Sequence, residues 1–214
     1  MNRKLRTLGL ALFAVLAVSA TSASAAWGAN FHSDGSPTTV TPAGNNTQVF
    51  QTTVDEFTCT TVGGSGTNTG TTTSEVTFKP TYSGCKGVNK GLNAHVDMMS
   101  CAYIITANLV GSHAPVHVEC SVAGDEITIQ ATIGGVKVPC LDIPAQTPTG
   151  GGLTYDNGTL SGVEDITATA TITGITYTET GVCGSGETNN GSYTGQVTVT
   201  GENAEGEDTD IWWE

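Results

Sequence analysis

Apolar residues recur at every second position along much of this chain, and helical spacing does not recur. Ile127, Ile129, Ala131 and Ile133 alternate with Thr128, Gln130 and Thr132, and Val116, Val118, Cys120 and Val122 alternate with His117, Glu119 and Ser121. Ile166, Ala168, Ala170 and Ile172 alternate with Thr167, Thr169, Thr171 and Thr173, while Val197 and Val199 alternate with Gln196, Thr198 and Thr200. Each run predicts a strand with one buried face and one wet face. Threonine suits the wet face because its branched Cβ fits a pleated surface and its hydroxyl tolerates water. After Gly174 the phase flips and Ile175 and Tyr177 take the inward role. A bulge at Gly174, where the missing Cβ permits the needed φ, accounts for the slip.

Turn signals punctuate these runs: Gly63-Gly64-Ser65-Gly66, Ser83-Gly84, Gly124-Asp125, Gly134-Gly135, Asn157-Gly158, Gly184-Ser185-Gly186 and Asn190-Gly191. The expected fold is all-β, an antiparallel β-sandwich or partly closed barrel of many short strands, stabilised by disulfides. Residues 47–214 are expected to form a single β-rich domain with a possible hinge near 147–152, preceded by a partly ordered lead-in over 27–46.

The first 26 residues carry Arg3, Lys4 and Arg6, an apolar run from Leu8 to Ala20, and small residues at Ser22-Ala23-Ser24-Ala25-Ala26, the pattern of a secretory signal peptide. That run is too short for a stable bilayer span, and no other segment suggests one in the mature chain. Its removal takes Lys+Arg from 7 to 4 against an unchanged 20 Asp+Glu, so the formal net charge moves from −13 to −16. Four scattered lysines in such a field argue against nucleic-acid binding, which needs clustered cations to displace phosphate counterions. The expected location is secreted or extracytoplasmic.

All six cysteines, Cys59, Cys85, Cys101, Cys120, Cys140 and Cys183, lie after the leader. An even count in an exported chain predicts three disulfides. Cys59 with Cys85 and Cys120 with Cys140 would each close a short loop between neighbouring strands, leaving Cys101 with Cys183. No Cys-x-x-Cys pair points to a zinc ribbon or a redox site.

No Gly-x-Ser-x-Gly elbow is present, and the glycine-rich stretch from Val62 to Gly70 lacks the Gly-Lys-Ser/Thr ending of a phosphate loop. His113 and His117 would lie about 13 Å apart in an extended strand, too far for one ion unless a turn at Ala114-Pro115 draws them together. Adjacent carboxylates at Asp55-Glu56, Asp125-Glu126 and Glu164-Asp165 point to opposite faces of a strand or into solvent. Glu202, Glu205, Glu207, Asp208 and Asp210 form an acidic run without EF-hand spacing, expected to be a solvated acidic loop, with weak calcium binding as the alternative. Ile211-Trp212-Trp213 reads as a last strand docking alternate members into the core, with an exposed Trp212/Trp213 platform for glycan or protein contact as the functional alternative.

The segments Phe78 to Cys85, Val116 to Cys120, Cys140 to Thr147 and Asn190 to Gly195 resemble a recurring pattern in secreted, cysteine-paired proteins of actinobacteria, a group without an established activity. The resemblance implies bacterial export and β-rich architecture, and it transfers no catalytic residue. No catalytic, cofactor-binding or metal-binding residue is assigned, and no cofactor is expected. The leading expectation is a non-enzymatic structural or binding module with an extracellular protein or glycan partner. A carbohydrate- or small-ligand-binding β-sandwich is the alternative, marked by a concave pocket with convergent aromatics. A secreted hydrolase using paired carboxylates is the third, marked by two such groups facing one cleft.

Overall fold

The two-residue period becomes backbone pairing in a computed structural model that describes residues 28–35, 38–43, 47–68 and 70–214. The expected leader lies outside the described residues. The strands in chain order are β1 (Phe31–Ser33), β2 (Thr38–Ala43), β3 (Gln48–Gln51), β4 (Glu56–Cys59), β5 (Thr61–Asn68), β6 (Thr72–Thr73), β7 (Glu75–Ser83), β8 (Lys86–Gly87), β9 (Leu92–Asp97), β10 (Cys101–Thr106), β11 (Val116–Cys120), β12 (Ile127–Ile133), β13 (Val136–Ile143), β14 (Gly150–Leu160), β15 (Val163–Glu179), β16 (Gly186–Glu202), β17 (Asp208–Thr209) and β18 (Ile211–Trp213). A single 3₁₀ turn over Gly181–Cys183 is the one helical element among the described residues.

Eight antiparallel strands close into a barrel, in the order β16, β3, β4, β8, β9, β12, β13, β15 and back to β16. The hairpin β15–β16 is its spine, and its two 17-residue strands are far longer than the short strands expected. That length lets one hairpin serve two walls. Thr178 and Glu179 of β15 pair with β13, and residues 192–194 of β16 pair with β3, which completes the closed ring. Further along, residues 163–173 of β15 pair with β14, and 198–202 of β16 pair with β2. From β2 a second wall continues through β5, β7, β10 and β11. It returns to the β14 side through paired backbone bonds between Ala114 and Leu153 and between Val118 and Gln146.

The phase slip at Gly174 is a bulge: the β15–β16 register shifts between Thr173 and Ile175, with Gly174 at φ 70°. Ile166, Ala170, Ile172, Ile175 and Tyr177 are therefore all buried, on both sides of the slip. A small sheet of β18, β1 and β6 covers one end. Gly150 to Gly152, within the segment considered as a hinge, begin β14 and pair with Thr173, Ile172 and Thr171.

Three disulfides staple the walls. Cys59–Cys85 forms as expected. The other two differ: Cys101 bonds Cys120, and Cys140 bonds Cys183. The reason is strand order, since a disulfide needs its two Cα atoms within roughly 7 Å. Cys101 and Cys120 are direct cross-strand partners on β10 and β11. Cys140 lies on β13, whose neighbours are β12 and β15, so Cys120 is out of reach while the 3₁₀ turn after β15 is adjacent.

Candidate functional site

The inward positions of the long hairpin change size along its length. Near the closed ring they are Ile175 and Tyr177, and Tyr177 is fully buried, edge-on to Phe50 with ring centroids 5.9 Å apart. Its hydroxyl accepts from the backbone N–H of Thr53 at 3.0 Å and donates to Asn190 Oδ1 at 3.2 Å. Toward the second wall the inward positions are Ala168 and Ala170 on β15, with Tyr193, Gly195 and Val197 on β16. Small side chains there leave a cavity of about 120 Å³, bounded on the far side by Val62, Phe78, Ile105 and Val116. Dry apolar cavities of roughly 150 Å³ bind benzene or xenon.

Four polar side chains converge on this apolar space. Tyr193 donates its hydroxyl proton to Gln48 Oε1 at 2.5 Å, and Gln48 Nε2 donates to the Gln196 carbonyl at 2.9 Å, which fixes the amide orientation. The Tyr82 hydroxyl lies 3.5 Å from that of Tyr193 and 3.2 Å from that of Tyr103. The cluster draws on β3, β7, β10 and the hairpin strand β16, so it ties the closed ring to the second wall. Gly195 makes it possible, because a Cβ at that position would overlap the Gln48 side-chain amide.

All three phenols are deep among protein atoms, yet each ring keeps some uncovered surface because it borders the cavity. Burial, which penalises the phenolate, pushes Tyr82, Tyr103 and Tyr193 above the ordinary tyrosine range. The cluster is therefore neutral and presents hydroxyl donors and acceptors but no charge. Two further spaces share its walls. One of about 50 Å³ lies beyond the tyrosines against Phe57, Val96 and Ile129, and one of about 70 Å³ lies under the terminal sheet against Phe31, Val40, Ile166 and Ile211.

The terminal tryptophans split across two faces of β18. Trp213 packs inward against Tyr155, with ring centroids 5.6 Å apart, and its Nε1 donates to the Ala107 carbonyl at 2.9 Å. Asn157 grips the Trp213 backbone, donating to its carbonyl at 2.7 Å and accepting from its N–H at 2.8 Å. Trp212 stacks on His32 instead, with ring centroids 5.3 Å apart. The structure therefore separates the two rings rather than setting them side by side.

His113 and His117 have separate partners: His113 Nδ1 lies 2.8 Å from Ser112 Oγ, and His117 Nδ1 lies 2.7 Å from Thr147 Oγ1. Among the described residues no three His, Cys, Asp or Glu side chains gather as a metal-ligand set. In the acidic run, Asn203 Oδ1 accepts from the backbone N–H groups of Glu205 and Glu207 and so shapes a turn. Asp55 is buried as a turn anchor, its Oδ1 accepting from the N–H groups of Glu56 and Asn89. Burial raises Asp142 and Asp165 above the usual carboxylate range, but neither is among the residues lining these three cavities, nor is any other carboxylate. Among the described residues no helix is long and apolar enough to cross a membrane.

The tyrosine cluster itself was not assigned from the sequence. Tyr82, Tyr103 and Tyr193 stand 21 and 90 positions apart on three strands, and only strand order brings them together. Compared with known protein families, curated proteins and solved structures, the chain shows no match.

Proposed function

We propose that this protein is a non-enzymatic, extracytoplasmic binding protein that holds a small, mainly apolar molecule inside its β walls. The observation that carries this reading is the hollow beside Ala168 and Ala170, apolar on nearly all sides and faced by the convergent hydroxyls of Tyr82, Tyr103 and Tyr193. Small-ligand sites have this composition, an apolar cavity with a few placed polar groups. The leader expected from the sequence and the three disulfides support a location outside the cytoplasm.

The test is binding of an environment-sensitive apolar fluorophore to the oxidised protein, compared with Ala170→Phe, which fills the hollow. Saturable fluorescence enhancement that Ala170→Phe abolishes, with its melting temperature unchanged or raised, is the expected result. Equal enhancement by both proteins would place the dye on the outside and remove the reading.

A further inference from the structure

Resting on that reading, the hydrogen-bond chain and the shape of the lumen point further, to the chemical class of the occupant: we infer that it is an uncharged, chain-like molecule with an apolar body and one oxygen function, a hydroxyl or carbonyl, seated at Tyr103.

The polarity of the chain carries the argument. Gln48 donates to the Gln196 carbonyl, so its Oε1 faces Tyr193 and must accept, and the Tyr193 proton is committed to it. Tyr193 can then only accept from Tyr82. Tyr82 has one proton and two phenol neighbours. If it donates to Tyr193, Tyr103 must donate to Tyr82, and the Tyr103 oxygen keeps open lone pairs. If it donates to Tyr103, the nearer neighbour at 3.2 Å, the Tyr103 proton has no phenol to meet. Acceptor lone pairs remain on all three phenols, but the one proton of the chain left unspent, in the second arrangement, is that of Tyr103, whose hydroxyl has Tyr82 as its one hydrogen-bond partner among the described residues. A ligand hydroxyl suits both arrangements, and a carbonyl suits the second.

Charge and shape narrow the class further. With no carboxylate lining the lumen, and three phenols that burial keeps protonated, an ammonium group would enter without a counter-charge; no lysine or arginine lines it to receive a carboxylate, and His32, on the wall under the terminal sheet, has Thr72 and Glu214 at its two nitrogens. The central space shares Phe78, Ile105, Ala168 and Val197 with the space under the terminal sheet, and Phe50, Ile127 and Ile143 with the space beyond the tyrosines. Apolar spaces that share walls thus lie to both sides of the hydroxyl cluster, and an elongated body is the shape that would span them.

The experiment is competition against the bound fluorophore by four probes of one chain length: 1-octanol, 1-chlorooctane, octylammonium and octanoate. The expected result is that 1-octanol competes at least about ten-fold better than 1-chlorooctane once each affinity is referred to the compound's own partition from water into alkane, the gain of one hydrogen bond to the Tyr103 hydroxyl, and that the two ions do not compete. Tyr103→Phe should erase the ten-fold gap, and a cooperative melting transition like that of the unaltered protein shows that the variant is folded. Tyr82→Phe should narrow the gap. Equal competition by 1-octanol and 1-chlorooctane on that partition-referred scale in the unaltered protein, a gap that survives Tyr103→Phe, or competition by either ion would overturn the inference while leaving a ligand-binding lumen in place. Failure of all four probes, together with failure of the fluorophore itself, would overturn the lumen reading as well.

Discussion

The two ends of the β15–β16 hairpin share backbone, pairing pattern and threonine-rich outer face, yet the interior around Tyr177 is filled and that around Ala168 and Ala170 is hollow. At the filled end Tyr177, Leu141 and Cys140 are fully buried and Tyr177 is hydrogen-bonded at its tip. At the hollow end the same inward positions carry Ala168, Ala170 and Gly195, and space remains. The difference teaches that side-chain volume at inward positions, not strand topology, divides this molecule into a filled part and a hollow part.

Truncation at the filled end should cost most. Tyr177→Ala removes a large buried ring and its hydroxyl contacts, and a loss of about 3–5 kcal/mol is expected by urea unfolding. The opposite change at the hollow end should behave differently: Ala170→Phe adds volume into existing space, so stability should hold or rise, by up to about 2 kcal/mol. In a well-packed core the same enlargement would cost about 1–3 kcal/mol, so a loss of that size would show that the two ends do not differ.

Intermediate effects belong to the residues that join the parts. Gly195→Ala would drive a Cβ into the Gln48 amide, and loss of the buried network predicts about 1–3 kcal/mol of destabilisation. Asn157→Ala releases the Trp213 backbone from two hydrogen bonds at the capped end, with about 1–2 kcal/mol expected and faster amide exchange confined to β1 and β18.

Alkaline pH gives the broadest effect. Burial raises Tyr82, Tyr103, Tyr155 and Tyr193, so the folded protein retains protons that the unfolded chain releases above about pH 10. Stability is therefore fully present below that pH and falls as pH rises beyond it. In an alkaline titration the phenolate absorbance of these four residues should appear together with loss of tertiary structure. Their ionisation near pH 10 in a folded protein would contradict their burial.

Much of the fold was legible because alternation and a single phase slip are local signals. Ile166 to Ile172, the bulge at Gly174 and the inward turn of Tyr177 all follow from two-residue periodicity. Glycine misled where it marks close approach rather than a turn. Gly63 to Gly66, Asn157-Gly158 and Asn190-Gly191 lie inside β5, β14 and β16. Gly66 is bare because Val40, Val76 and the Thr77 carbonyl crowd it. Two disulfide partners and the tyrosine cluster were illegible for one shared reason, that they depend on which distant strands become neighbours. Trp213 lay between these cases: alternation offered Ile211 with Trp213 or Trp212 alone as the docked members, and the β1–β18 register with the Asn157 clasp gives the first.

The most direct test of the hollow end is ¹²⁹Xe NMR of the oxidised protein, compared with Ala170→Phe. A saturable xenon site that contacts the Ala168 and Ala170 methyl groups and disappears in Ala170→Phe is the predicted result. Xenon shifts that rise linearly with pressure and are identical in both proteins would show that the interior is filled, and would contradict the account.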